Sequence, residues 1–89
     1  MFEIAGDVWL VYPNPIEEVI FLEVEANIHR PVEISILDLT GKVVQFQKHQ
    51  LVRGANSVML SALDLSPGIY FIRVMEGDQM LFTEKLIKR

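Results

Sequence analysis

Apolar and polar residues alternate with a period of two along most of this chain, the spacing that puts successive side chains on opposite faces of a β-strand. The stretch that organises the rest is residues 63–75, LDLSPGIYFIRVM. Ser66-Pro67-Gly68 is its turn, since Pro presets φ and Gly supplies a positive one. Tyr70, Ile72 and Val74 then fall on one face, and Ile69, Phe71, Arg73 and Met75 on the other. Both faces are largely apolar, so this run is expected in the middle of a sheet.

The same pattern places the other elements. Residues 8–12, VWLVY, read as a first strand, stopped by Pro13-Asn14-Pro15, whose prolines cannot donate to a ladder. Residues 19–26 alternate with Ile20, Leu22, Val24 and Ala26 inward and Glu23 and Glu25 in water. A third strand over 32–38 turns Val32, Ile34 and Ile36 inward and Glu33 and Ser35 outward. Asp38-Leu39-Thr40-Gly41-Lys42 has the chemistry of a hairpin loop, with Asp accepting backbone bonds and Gly taking positive φ. Residues 43–50 return as a fourth strand with Val44 and Phe46 on one side and Gln45 and Gln47 on the other. After the Arg53-Gly54-Ala55-Asn56 turn, Val58 and Leu60 mark a short fifth strand. Glu76-Gly77-Asp78 turns the sixth strand into a seventh over 80–88. Trp9, alone of its kind, is expected to pack at an edge or against a linker.

No window repeats apolar residues at helical spacing for three turns, and Gly, Pro or Asn interrupts each. Short strands about ten residues apart predict an all-β fold, a seven-stranded antiparallel sandwich of immunoglobulin-like size. The expected organisation is a linker remnant and first strand over 1–10, followed by one sandwich over 11–89.

Composition narrows the function more by exclusion than by assignment. Hydrophobic residues make up 51% of the 89, enough to build a core in one small domain. With no Cys, disulfides, thiol catalysis and Cys-based zinc sites are excluded, and the compartment stays open. The formal charge of −4, with eight basic residues scattered among twelve acids, does not make the positive stripe that nucleic acid requires. No apolar run is long enough to span a bilayer. The opening MFEIAGDVW lacks the basic and apolar regions of a signal peptide; if the protein is exported, its signal is expected to lie on a longer natural chain or to have been removed.

Candidate chemistry is sparse. His29 and His49 have no metal-binding neighbour at ligand spacing, and no Ser stands in a nucleophile elbow. Glu17 and Glu18 share a loop, and Glu23 and Glu25 a strand face, which suits a charged edge that resists aggregation better than an acid–base pair. Asp38, Asp64 and Asp78 each sit at a turn, where capping accounts for them without the calcium ion that turn carboxylates can also bind. Gly41, Gly54, Gly68 and Gly77 are spread over separate turns and form no phosphate cradle. The residues therefore predict no enzyme and no cofactor. Met59, Phe71 and Met75 exceed what one small core absorbs, which predicts an exposed patch and weak self-association.

Taken in order, four blocks carry a resemblance. They are Tyr12-Pro13-Asn14-Pro15; Ile36 to Val44, ILDLTGKVV; Asn56, Leu60 and Leu63 followed by Pro67-Gly68-Ile69-Tyr70-Phe71-Ile72-Arg73-Val74; and Thr83-Glu84-Lys85-Leu86-Ile87. Over residues 11–89 this order resembles the C-terminal sorting domain of cargo proteins of the type IX secretion system of Bacteroidetes. The resemblance implies an immunoglobulin-like sandwich attached to an N-terminal cargo domain, an export signal read by the outer-membrane machinery, and removal at the cell surface by a sortase-like peptidase near or before residues 1–7. It places the protein at the cell surface or in the medium, reached through the periplasm and outer membrane. Carried over by motif, the candidate sorting residues are Pro13, Asn14, Pro15, Gly41, Lys42, Gly68, Tyr70 and Lys85. Lys42 and Lys85 are the expected direct contacts; Gly41, Gly68 and Tyr70 are expected to serve the fold. The competing reading is a carbohydrate- or protein-binding accessory module, which would need an exposed aromatic platform from Trp9, Tyr12, Phe71 or Phe82.

Overall fold

The computed structural model describes residues 7–89. Seven strands run in chain order: β1 Val8–Tyr12, β2 Val19–Ala26, β3 Arg30–Asp38, β4 Val43–Leu51, β5 Gly54–Ser61, β6 Gly68–Glu76 and β7 Gln79–Lys88. They form a three-stranded sheet of order β1-β2-β5 and a four-stranded sheet of order β4-β3-β6-β7, every neighbouring pair antiparallel. As expected, β6 is a central strand, flanked by β3 and β7. The inner faces meet over Ile20, Leu22, Ile34, Ile36, Ile72 and Leu86, none more than 1% exposed. Alternation dictates this: a period-two apolar pattern has one face to bury, and two such sheets bury it against each other.

The two open sides of the sandwich close differently. On one side Trp9 of β1 stacks on Phe82 of β7, ring centroids 5.5 Å apart. Trp9 is thus on an edge strand, as expected, and it faces inward and packs across the sandwich. On the other side β4 meets the edge of β5. Gln45 and Gln47 lie opposite the inward Ile36 and Ile34, and Gln45 Nε2 donates to the Ser61 carbonyl at 2.9 Å. The glutamine amide thus bridges the two sheet edges through Nε2, while Gln45 Oε1 is buried with no partner among the described residues. Phe46 correspondingly faces outward and is 53% exposed.

Three local expectations change. Strand β3 begins at Arg30, two residues before the pattern starts, because Arg30 and Pro31 already pair with Leu51 and Gln50. Strand β5 runs over Gly54–Ser61 rather than being confined to Val58 and Leu60. Asn56 lies buried within it: Oδ1 accepts the Val52 N–H at 2.9 Å, and Nδ2 donates to the Val52 carbonyl at 2.8 Å and the Gly54 carbonyl at 3.0 Å. A side-chain amide can thereby staple the β4–β5 turn from inside the strand. Ser35 is directed outward yet only 5% exposed, because it lies on a central strand directly between Phe46 and Arg73, whose larger side chains cover it. Met59 lies on the outer face of the three-stranded sheet, and Phe71 and Met75 on the outer face of the other. The three do not form one patch.

Truncating Ile72 to Ala removes fully buried volume at the sheet interface and is expected to lower stability by about 2–5 kcal/mol in urea unfolding. Met59→Ala, at a residue 64% exposed, is expected to stay within about 0.5 kcal/mol of the parent. Equal losses at the two positions would contradict this core.

Candidate functional site

Antiparallel pairing sorts the loops into two poles. The end of β1, the start of β2, the β3–β4 turn, the β5–β6 link and the end of β7 gather at one pole, because Tyr12 pairs with Phe21, Val19 with Ser61, Asp38 with Tyr70 and Gly68 with Lys88. The candidate sorting residues lie at or near this pole. The opposite pole receives the chain at Asp7 and Val8. Strands of eight or nine residues separate the two poles by roughly 30 Å.

At the first pole the chain crosses between sheets over Pro13-Asn14-Pro15, and both X-Pro bonds are cis. Asn14 then acts as a surrogate peptide: Nδ2 donates to the Lys85 carbonyl at 3.0 Å, and Oδ1 accepts the Ile87 N–H at 3.0 Å. Ile16 takes over the pairing. Its N–H donates to the Ile87 carbonyl at 2.7 Å, and its carbonyl accepts the Arg89 N–H at 3.0 Å in a parallel bridge. The Ile16 side chain is fully buried, so this crossover is also pinned from within. A single isoleucine among prolines and glutamates offered no periodicity from which this could be read.

Tyr70 is 8% exposed, and its hydroxyl donates to the Ser66 carbonyl four residues upstream at 2.7 Å. This is the tyrosine corner of immunoglobulin-like sandwiches, which fixes the link between sheets at the start of the sixth strand. Gly41 and Gly68 hold φ of 88° and 155°, where L side chains are strained although the space around each is open. Lys42 and Lys85 are both exposed.

In the β3–β4 turn, Asp38 Oδ1 accepts the Thr40 hydroxyl at 2.6 Å, the Thr40 N–H at 2.9 Å and the Lys42 N–H at 3.0 Å. These bonds, the Thr40 hydroxyl first, favour the carboxylate and hold the Asp38 pKa below the ordinary aspartate value. Asp38 and Asp64 line one polar cleft of about 460 Å³ together with Gln45, Ser61 and Tyr70, while Asp78 lies at the other pole. Among the described residues no group of three or more His, Cys, Asp or Glu is arranged to hold a metal ion. Of the aromatics that could form a glycan platform, Trp9 and Phe82 stack on each other and Tyr12 stacks on Phe21. The Tyr12 hydroxyl also donates to the Glu23 carboxylate, and this bond raises its pKa.

Compared with known families, residues 10–89 match the secretion system C-terminal sorting domain. The chain belongs to that family. It is a sorting signal of type IX secretion, which implies export across the outer membrane to the cell surface or medium, and the family's role is non-catalytic. Among solved structures, 96% of the chain superposes on dimeric latent PorU from Porphyromonas gingivalis with a TM-score of 0.76 at 19% identity. It superposes over the same share on a β-glucosidase from Listeria innocua with a TM-score of 0.51 at 14% identity. The chain spans 10% of the PorU chain and 16% of the glucosidase, and at these identities the likeness concerns the fold. No curated protein matches the chain.

At the entry pole of this sorting domain sits a network that has no signature in the sequence. Asp7 Oδ1 accepts the Asn27 N–H at 3.1 Å, and Arg30 lies 3.5 Å from Asp7 and 3.4 Å from Glu76. The Asp7 and Arg30 side chains are only 6% and 12% exposed, so the pair is shielded from solvent screening. It ties the incoming chain to the β2–β3 loop and to the end of β6.

Asn14→Ala is expected to cost about 1–2 kcal/mol and to speed amide exchange at Ile87 while leaving Ile72 protected. Asn14→Asp keeps the acceptor for Ile87 and is expected to retain part of that protection. Unchanged exchange at Ile87 in both variants would mean that Asn14 does not hold the end of β7.

Because the folded Asp38 pKa lies below the unfolded one, its stabilising contribution is present above the unfolded value and is lost as pH falls through the lowered folded value. An NMR titration is expected to place the Asp38 midpoint below the ordinary aspartate value. Thr40→Val is expected to move it back up, and a midpoint insensitive to Thr40 would contradict the assigned cause.

Proposed function

We propose that this sandwich is the address label of a covalently attached N-terminal cargo, carrying it through the outer-membrane type IX machinery until a sortase-like peptidase removes the label at the cell surface. The cargo is then released or joined to anionic lipopolysaccharide. The observation that carries this reading is the family match over residues 10–89.

The geometry supports a division of labour. The chain enters beside Asp7, Asn27 and Glu76, so a cargo fused ahead of it sits at that pole and leaves the other uncovered. At the uncovered pole, Asn14, Gly41, Gly68 and Tyr70 are engaged in holding backbone, with Pro13 and Pro15 setting the crossover. Lys42 and Lys85 are assigned to direct contact, since both are exposed and a lysine can offer its charge to a partner without leaving the fold. Cleavage is assigned to the cargo side of Asp7, because the Asp7 carboxylate is bound into the sandwich and a peptidase needs an extended, accessible segment. The expected cleavage region falls largely on residues 1–6, which lie outside the described residues.

A reporter bearing an export signal and followed by residues 7–89 is expected to reach the medium or cell surface of a type IX-competent bacterium, while the reporter alone stays in the periplasm. The paired changes Lys42→Glu and Lys85→Glu are expected to cut export about tenfold with the purified domain still folded. Periplasmic retention of the reporter carrying a folded, unaltered domain would overturn the proposal.

A further inference from the structure

The outer faces of the two sheets differ in charge. On the three-stranded sheet the outward charges are Glu23 and Glu25, with no Lys or Arg among its strand residues. On the four-stranded sheet, register places Lys48, Arg73 and Lys85 on the outer face with the single acid Glu33. Thus a protein of net charge −4 presents one basic face.

Arg73 stands at the middle of that face, on a central strand, opposite Ser35 on one side and Thr83 on the other. Its Nε is buried and no acceptor among the described residues meets it. A docking partner cannot reach the buried Nε; the two terminal nitrogens of the guanidinium fork are the donors that suit a carboxylate. Apolar side chains share its face: Phe46, one strand beyond Ser35, is 53% exposed, Phe71 and Met75 flank Arg73 half-buried, and Val43 and Ile87, 44% and 43% exposed, lie further along. Aromatic residues, Met and Arg on a flat surface are the composition of an interface centre, where a desolvated Arg is commonly an anchor.

We infer that the outer face of the four-stranded sheet is a docking surface for a protein of the export machinery, whose contact patch carries an Asp or Glu side chain, flanked by apolar residues, that pairs with Arg73. This rests on the sorting function proposed above and adds the surface and its chemistry. A second copy of the domain is the poorer occupant. Its acidic Glu23 is already engaged by Tyr12, two copies of net charge −4 repel, and stacking unlike faces would leave a free face at each end and propagate into a filament. An anionic membrane is also poorer, since three bases around an acid fall short of a polybasic cluster.

The test uses the exported reporter fusion in living cells, with a photo-crosslinking amino acid replacing Phe46 or, as a control, Glu25. Illumination is expected to join the Phe46 position to an envelope protein through a peptide containing Asp or Glu beside apolar residues, identified by mass spectrometry. The Glu25 position should give no such product. Arg73→Glu is expected to reduce the crosslink and export about tenfold or more, and Arg73→Lys less, with unchanged unfolding midpoints in the purified domains. Crosslinking to a second copy, to lipid or lipopolysaccharide only, or to a peptide without a carboxylate would overturn the inference. So would full export of Arg73→Glu. If the unaltered fusion is not exported but still gives the Arg73-dependent crosslink to an acidic peptide, the surface stands and the sorting function falls.

Discussion

The pairing of Asn14 and Ile16 with the end of β7 is the constraint on which the rest of this domain depends. Strand β7 lies at the edge of its sheet, with β6 as its neighbour on one side. An edge strand with a free outer side frays and invites foreign pairing. Over residues 85–89 that side is occupied by one side-chain amide and one residue of backbone. The same contact draws the crossover after β1 onto the second sheet, which sets β1 beside β7 and brings Trp9 onto Phe82. A machinery that paired with the whole edge of the last strand would meet an edge already taken along that part. Side chains projecting from the strand's outer face are free of this conflict.

Much of the fold was legible because the pattern had one physical cause. In β2, β3 and β6 the inward residues between the strand ends are apolar, so the burial of Ile20, Leu22, Ile34, Ile36, Ile72 and Val74 followed from alternation. It was less informative for β4, whose Val44, Gln45, Phe46 and Gln47 alternate cleanly while the polar set turns inward. The cause lies in the neighbouring sheet, where the strand facing β4 is an edge, and one strand's sequence does not contain that fact. Asn56 reads as a turn residue because Asn is common in turns; a strand with a side-chain amide stapling the turn behind it has the same composition. Ser35 shows the limit of polarity as a guide to exposure, since its cover comes from Phe46 and Arg73 on other strands.

The candidate site was legible as a set of residues but not as a place. Tyr12 to Pro15, Asp38 to Lys42, Ser66 to Tyr70 and Lys85 are scattered over most of the chain, and only the register brings them to one pole. Once there, most of them have work within the fold: Asn14 bonds β7, Asp38 bonds its own turn, Tyr70 bonds Ser66. A family signature made largely of such residues identifies the fold that must be presented and says less about the surface that is read. Arg73 is the counterpart, a charged residue within the most apolar strand whose Nε meets no acceptor among the described residues.

The two poles have a mechanical consequence. Asp7 and Arg89 lie at opposite ends of the strands, each fastened to the body, Asp7 through Asn27 and Arg30 and Arg89 through Ile16. A pull between them runs along the strands rather than across them. The hydrogen bonds joining β1 to β2 and β6 to β7 are then loaded together in shear instead of opening one at a time from an end. Resistance to such a pull is governed by the unfolding barrier rather than by equilibrium stability. A small domain of modest thermodynamic stability can therefore act as a firm handle while a larger body is drawn behind it.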